Sequence, residues 1–196
     1  MTDRPDAGHP EPMGFAHSAD GAEAEFAALY LRFHDGIRRT LGCLGVPTAS
    51  LDDALQEVFV VVHRRLDDPA RIESVRGWMY GIARRVAWRH HRTAGRIARK
   101  LAAVEAPVDE GATPDRELER REAIAFMQGF LDGLDPDQRE VFVLAEIEGL
   151  SAPEIATVVE GKLNTVYSRL RLARARFEQA LARQHARARR EVRHAT

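Results

Sequence analysis

Residues 135–182 read DPDQREVFVLAEIEGLSAPEIATVVEGKLNTVYSRLRLARARFEQALA, and the punctuation of this stretch decides the fold. Asp135 and Pro136, with Gln138 three residues after the cap, open a helix. It runs through Ile147 and ends at Gly149. Ser151-Ala152-Pro153-Glu154 is a second capping box. It starts a short helix over 152–159 that buries Ile155, Val158 and Val159. Glu160-Gly161-Lys162 makes a tight turn. A long helix then runs from Leu163 or Asn164 to about Ala182, burying Val166, Leu170, Ala173 and Phe177. Short helix, tight turn and longer basic helix spell a helix-turn-helix.

The face of the long helix opposite its apolar stripe carries Asn164, Ser168 and Arg171. Tyr167 and Arg174 lie at one edge of that face, and Thr165, Arg169 and Arg176 at the other. A helix set in a DNA major groove needs this layout, with Arg, Asn and Ser reaching base edges and flanking Arg, Thr and Tyr holding phosphates. An exposed basic helix could instead bind an acidic protein, but that reading leaves the turn and short helix before it without a use.

Upstream the pattern stays helical, with no strand alternation. Phe26, Leu29, Tyr30, Phe33, Ile37 and Leu41 recur at three- and four-residue steps until Gly42, Gly45 and Pro47 break the helix. Leu51, Leu55, Val58, Phe59, Val62 and Leu66 form a second stripe, closed by Asp67-Asp68-Pro69. Val75, Trp78, Met79, Ile82 and Val86 form a third. Residues 103–115, acidic and broken by two prolines and a glycine, read as a flexible linker. Thr113-Pro114 caps the next helix, which buries Leu118, Ile124, Met127, Leu131 and Leu134. Residues 1–21 are polar and proline-rich, which reads as a disordered tail. Residues 183–196 read as a basic C-terminal tail. The expected fold class is all-α, two small helical domains over 22–102 and 116–182.

The formal net charge of this 196-residue chain is −1, but the charge is segregated. Residues 71–100 hold nine Lys or Arg against one acid, and residues 162–196 hold ten against two. Two basic blocks on a near-neutral chain point to two polyanion-facing surfaces. In the first block aromatics alternate with arginines: Tyr80, Arg84, Trp88 and His91 fall away from the buried stripe, where they can stack on unpaired bases while arginines track the backbone. Trp78 reads as core; Trp88 reads equally well as core or as exposed.

Catalytic constellations are missing: the sequence has no Gly-rich phosphate loop, HExxH, CxxC or GxSxG. His90 and His91 are adjacent, so on a helix they point about 100° apart and cannot grip one metal together. No cofactor or metal is expected. The single cysteine, Cys43, excludes an internal disulfide and suits a reducing cytoplasm. No apolar run is long enough to insert in a membrane.

Three stretches, in this order around the linker, resemble the extracytoplasmic-function (ECF) RNA polymerase sigma factors, group four of the sigma-seventy family. Residues 53–59 (DALQEVF) are similar to that family's polymerase-contacting helix in region two, and 75–85 (VRGWMYGIARR) to its promoter-melting helix. Residues 134–142 (LDPDQREVF), 147–156 (IEGLSAPEIA) and 164–171 (NTVYSRLR) are similar to region four. The resemblance covers about residues 22–182. It implies an alternative sigma factor, not an enzyme, that binds core RNA polymerase through its clamp helices and flap, melts the minus-ten element and reads the minus-thirty-five element. It implies polymerase contacts at Asp53, Gln56, Glu57, Val60 and Arg64. Its promoter contacts in region two are Arg76, Tyr80, Arg84, Arg85, Trp88, Arg89, His91 and Arg92. An anti-sigma factor is an expected partner. The sequence departs from the family at Arg85 and Arg89, where Asn and Asp are frequent, and at His63, where Trp is frequent. It departs again at Gly161 in the turn and at Leu172, where arginine is common. A free-standing helix-turn-helix regulator is the competing reading, in which Asp53, Glu57 and Arg64 need no partner. A purely structural helical scaffold has no use for paired basic blocks.

Overall fold

In a computed structural model, residues 19–66, 74–94 and 114–194 are described. Seven α-helices account for nearly all of them: α1 (Ala19–Cys43), α2 (Leu51–Arg65), α3 (Val75–Ala94), α4 (Pro114–Asp132), α5 (Pro136–Phe142), α6 (Ala152–Val158) and α7 (Leu163–His194). The expected tail over 1–18, the stop at Asp67-Asp68-Pro69 and linker residues 103–113 lie outside the described residues. So do the side chains of His91 and Arg92.

The N-terminal half is a three-helix unit. Along α1, Leu29, Phe33, Ile37 and Leu41 are buried, and α2 buries Leu51, Leu55, Val58, Phe59 and Val62 against them. Gly45 takes φ +91° in the turn between these helices, a conformation that costs a side-chain-bearing residue about 1–2 kcal/mol. The second half packs α4, α5 and α7 around an aromatic knot. The rings of Phe130 and Phe142 are 5.1 Å apart, and those of Phe130 and Phe177 5.0 Å. Leu118 was expected inside but is exposed, because only the C-terminal part of α4 reaches this knot.

The caps follow the sequence, with one omission. Ser151 and Glu154 complete their reciprocal box, Ser151 N–H donating to the Glu154 carboxylate at 2.8 Å. Burial alone raises the Glu154 carboxyl, but its hydrogen bonds from Ser151, with Arg76 nearby, outweigh burial and hold it below its usual value. At α5, Asp135 accepts from Asp137 N–H at 3.1 Å, while the Gln138 side chain leaves its buried oxygen without a hydrogen bond. Past Phe142 the chain widens into a π turn, Val143–Ile147, and Gly149 stops it at φ +66°. In the turn before α7, Glu160 takes the left-handed position at φ +54°, not Gly161. The last helix does not end near Ala182; it continues through the expected basic tail to His194.

The two halves are packed directly on each other. Val141, Phe142, Val143 and Leu144 are all buried. Val141 and Leu144 join the core of the N-terminal half, and Phe142 and Val143 join the aromatic knot. A helical segment apolar all round is buried on both sides, and residues 141–144, from the end of α5 into the π segment that follows, form the layer between the two units. α6 approaches α3 at Gly77, where an added Cβ would stand in ordinary contact, 3.8 Å from Val158.

Candidate nucleic-acid interface

The first turns of α7 present one solvent-facing surface. Val166, Leu170 and Ala173 are buried beneath it, and Asn164, Thr165, Tyr167, Ser168, Arg171, Arg174 and Arg176 are exposed. Ser168 donates its hydroxyl to the Asn164 carbonyl at 3.0 Å, so in this state it meets a partner as an acceptor. Arg169, expected at a phosphate-holding edge, turns back to pair with Asp137 on α5. Arg174 pairs with Glu146 at 2.7 Å. Leu172, where the resemblance has arginine, is an exposed apolar residue beside Arg171.

The basic face of α3 is arranged differently. Arg76 is exposed, and Trp88 stands 54% exposed, which resolves it as a surface residue. Trp78 packs partly buried against the core. Tyr80 was expected to face outward; it is only 4% exposed. The reason is the second half of the chain: the Tyr80 hydroxyl donates to the Glu148 carboxylate, and Arg84 donates to Glu140. Burial first, then the hydrogen bond to Glu148, pushes the Tyr80 phenol well above its usual value and keeps it a donor. Burial also raises the Glu140 carboxyl, with Arg84 pulling it back. Arg85 lies 3.6 Å from Glu160.

On α2, Asp53, Gln56, Val60 and Arg64 are exposed. Glu57 is not free as expected: it is half-buried and pairs with Arg89 at 2.5 Å and His90 at 3.2 Å, both on α3. Beside this face lies a groove of about 520 Å³ floored by Leu55 and Phe59, with Phe26, Tyr30, Val60 and His63 along it. His63 meets the Phe26 ring edge-on at 5.1 Å, an aromatic contact that the imidazole still makes. Among the described residues no cluster of His, Cys, Asp and Glu is placed to hold a metal ion, and no helix is long and apolar enough to cross a membrane.

A bundle and a helix-turn-helix, each carrying a basic helix, match two known families: Sigma-70 region 2 over residues 29–97 and Sigma-70, region 4 over residues 127–177. The ECF RNA polymerase sigma factor SigE of Mycolicibacterium smegmatis is 32% identical over 183 residues, 88% of this chain and 69% of that protein. The chain belongs to the ECF sigma factors. The RNA polymerase sigma factor CnrH of Cupriavidus metallidurans is 28% identical over 174 residues, 85% of this chain and 91% of that protein. The structure of CnrH in complex with the cytosolic domain of CnrY aligns with a TM-score of 0.64 at 27% identity, covering 84% of this chain and 92% of that one. This sigma factor therefore serves transcription initiation, as a promoter-directing subunit of RNA polymerase. Sequence reasoning missed Arg39, Thr40, Glu140 and Glu148. Each reads as an ordinary helix-surface residue, and only the docking of one half on the other buries or engages them.

Proposed function

We propose a division of labour in which α2 docks on core polymerase, α3 captures melted promoter strand and α7 reads the upstream element. The single observation that carries it is the exposed surface of α7, where Asn164, Ser168 and Arg171 stand clear above the buried Val166–Leu170–Ala173 stripe. Base-edge hydrogen bonding needs such side chains in the open. Arg76 and the exposed Trp88 of α3 suit an unpaired strand, the indole stacking on a base. Gln56, Val60 and Arg64, beside an apolar groove, suit a helical polymerase element, with Asp53 exposed on the same helix. The phosphodiester chemistry belongs to the polymerase, and the chain acts in the cytoplasm. CnrH is seen with the cytosolic domain of CnrY; by likeness, an anti-sigma factor regulates this chain too.

Co-purification with core polymerase tests the reading. The wild-type chain is expected to co-elute with core polymerase and support promoter-dependent transcription. Reversing charge at Asp53 and Arg64 is expected to weaken co-elution without unfolding, because exposed substitutions change stability by only about 0.5 kcal/mol. DNA binding with no polymerase association would favour the free-standing regulator.

A further inference from the structure

We infer that Glu148 and three donors of region two form an intramolecular lock, which shuts region four onto region two and hides the strand-facing side chains Tyr80 and Arg84. Glu148 is 4% exposed. Burying a carboxylate costs several kcal/mol unless donors surround it. The donors come from the other domain: Arg39 Nε and Nη2 at 3.2 and 3.3 Å, Thr40 Oγ1 at 2.8 Å and the Tyr80 hydroxyl. Thr40 Oγ1 also lies 2.9 Å from the Gly36 carbonyl. With one proton it can donate to only one of the two, and the charged oxygen is the stronger acceptor. Gly36 leaves room for the cluster: a Cβ there would stand 3.1 Å from the Tyr80 hydroxyl and 3.6 Å from Glu148 Oε2.

Local backbone geometry aims the carboxylate. The π turn over Val143–Ile147 inserts one residue's worth of rotation just before Glu148, and Gly149 then turns the chain away. Single π turns of this kind recur where a helix must redirect a side chain. A second polar contact, Arg84 to Glu140, and a third across the rim, Arg85 to Glu160, bridge the same two domains. Around them the seam is apolar, with Cys43 and Leu44 at the end of α1 against the Phe130–Phe142 knot. Tyr80 and Arg84 cannot hold Glu148 and Glu140 and contact a promoter strand at once. The promoter-engaged state therefore requires the lock to open. The lock stands on geometry alone; its consequence for DNA rests on the reading of Tyr80 and Arg84 above.

The test uses the full chain and two substitutions outside the promoter-facing surface, Thr40→Val and Arg39→Gln. Cys43 reports opening, because its half-buried thiol, raised by burial to about 11, reacts slowly while shut. The Thr40→Val/Arg39→Gln variant is expected to react with a maleimide about tenfold faster, the scale of losing a charge-assisted hydrogen bond. Its circular dichroism should be unchanged, and Thr40→Ser should restore slow labelling. Binding of a fluorescein-labelled oligothymidylate should rise in parallel. Unchanged labelling in the double variant overturns the lock. Faster labelling without tighter oligothymidylate binding upholds the lock and overturns the masking of Tyr80 and Arg84. Co-elution with core polymerase, measured separately, judges the sigma-factor reading itself.

Discussion

The two basic helices, α3 and α7, both combine arginines with aromatics but meet solvent in opposite ways. α7 buries one stripe and leaves the opposite face open. α3 buries a wider arc, residues 79–83 with Val86 and Ala87, and much of its charge is bound to acids: Arg84 to Glu140, Arg85 to Glu160, Arg89 to Glu57. A hydrophobic stripe tells which way a helix faces its own domain. It does not tell whether a second domain covers the other side.

The knot that holds α7 gives the largest expected effect. Phe142→Ala should lower the free energy of urea unfolding by about 3–5 kcal/mol, since Phe142 is buried against Phe130 and Phe177. A loss below about 1 kcal/mol would mean the two halves, not this knot, hold α7 in place.

On α3, Tyr80→Phe should cost about 1–3 kcal/mol, because it removes a buried hydroxyl donor to Glu148 while leaving the ring packed on Phe33. Equilibrium unfolding measures it. A neutral substitution would mean that Tyr80 is solvated in the free chain, as α7's face is.

On α7, Arg171→Ala should cost about 1–3 kcal/mol of discrimination at one base position, if its contact to guanine is bidentate. Arg176→Ala should weaken binding to all sequences alike and reduce the salt dependence by about one unit of slope. Titrating both against single-base variants at two salt concentrations separates them. Even loss across the panel for Arg171→Ala would shift the reading face by about one residue.

The smallest effect is expected at the turn before α7. Glu160→Gly relieves a left-handed side-chain-bearing residue, a gain of about 1 kcal/mol, against loss of the exposed Arg85 pair worth about 0–1 kcal/mol. Net stability should stay within about 1 kcal/mol of wild type, read as a small shift in the urea midpoint.

The helices, their caps and the open face of α7 were legible in the sequence because they follow from local rules. Pro136, the Ser151–Glu154 box and Gly149 act within a few residues of themselves. The seam was not legible in the same way. Met79 belongs to the stripe that α3 turns to its own bundle, but the burial of its neighbour Tyr80 goes with contact to Glu148, 68 positions away. A faint signal existed. Gly77, Ala83 and Ala87 put small residues where α3 needs a close neighbour, and Val141 to Leu144 form a run with no polar side. Both patterns describe elements covered on two faces. The continuation of α7 to His194 was missed for another reason: alanine and arginine favour helix, but no apolar stripe marks the extension.

The most direct measurement is the distance between the halves, in the free chain and with core polymerase. Labels at Asp35→Cys on α1 and Gln179→Cys on α7, in a Cys43→Ser background, sit at exposed positions. The account predicts one short, narrow distance distribution in the free chain and a longer one once core polymerase is added. The same distribution in both states would contradict it.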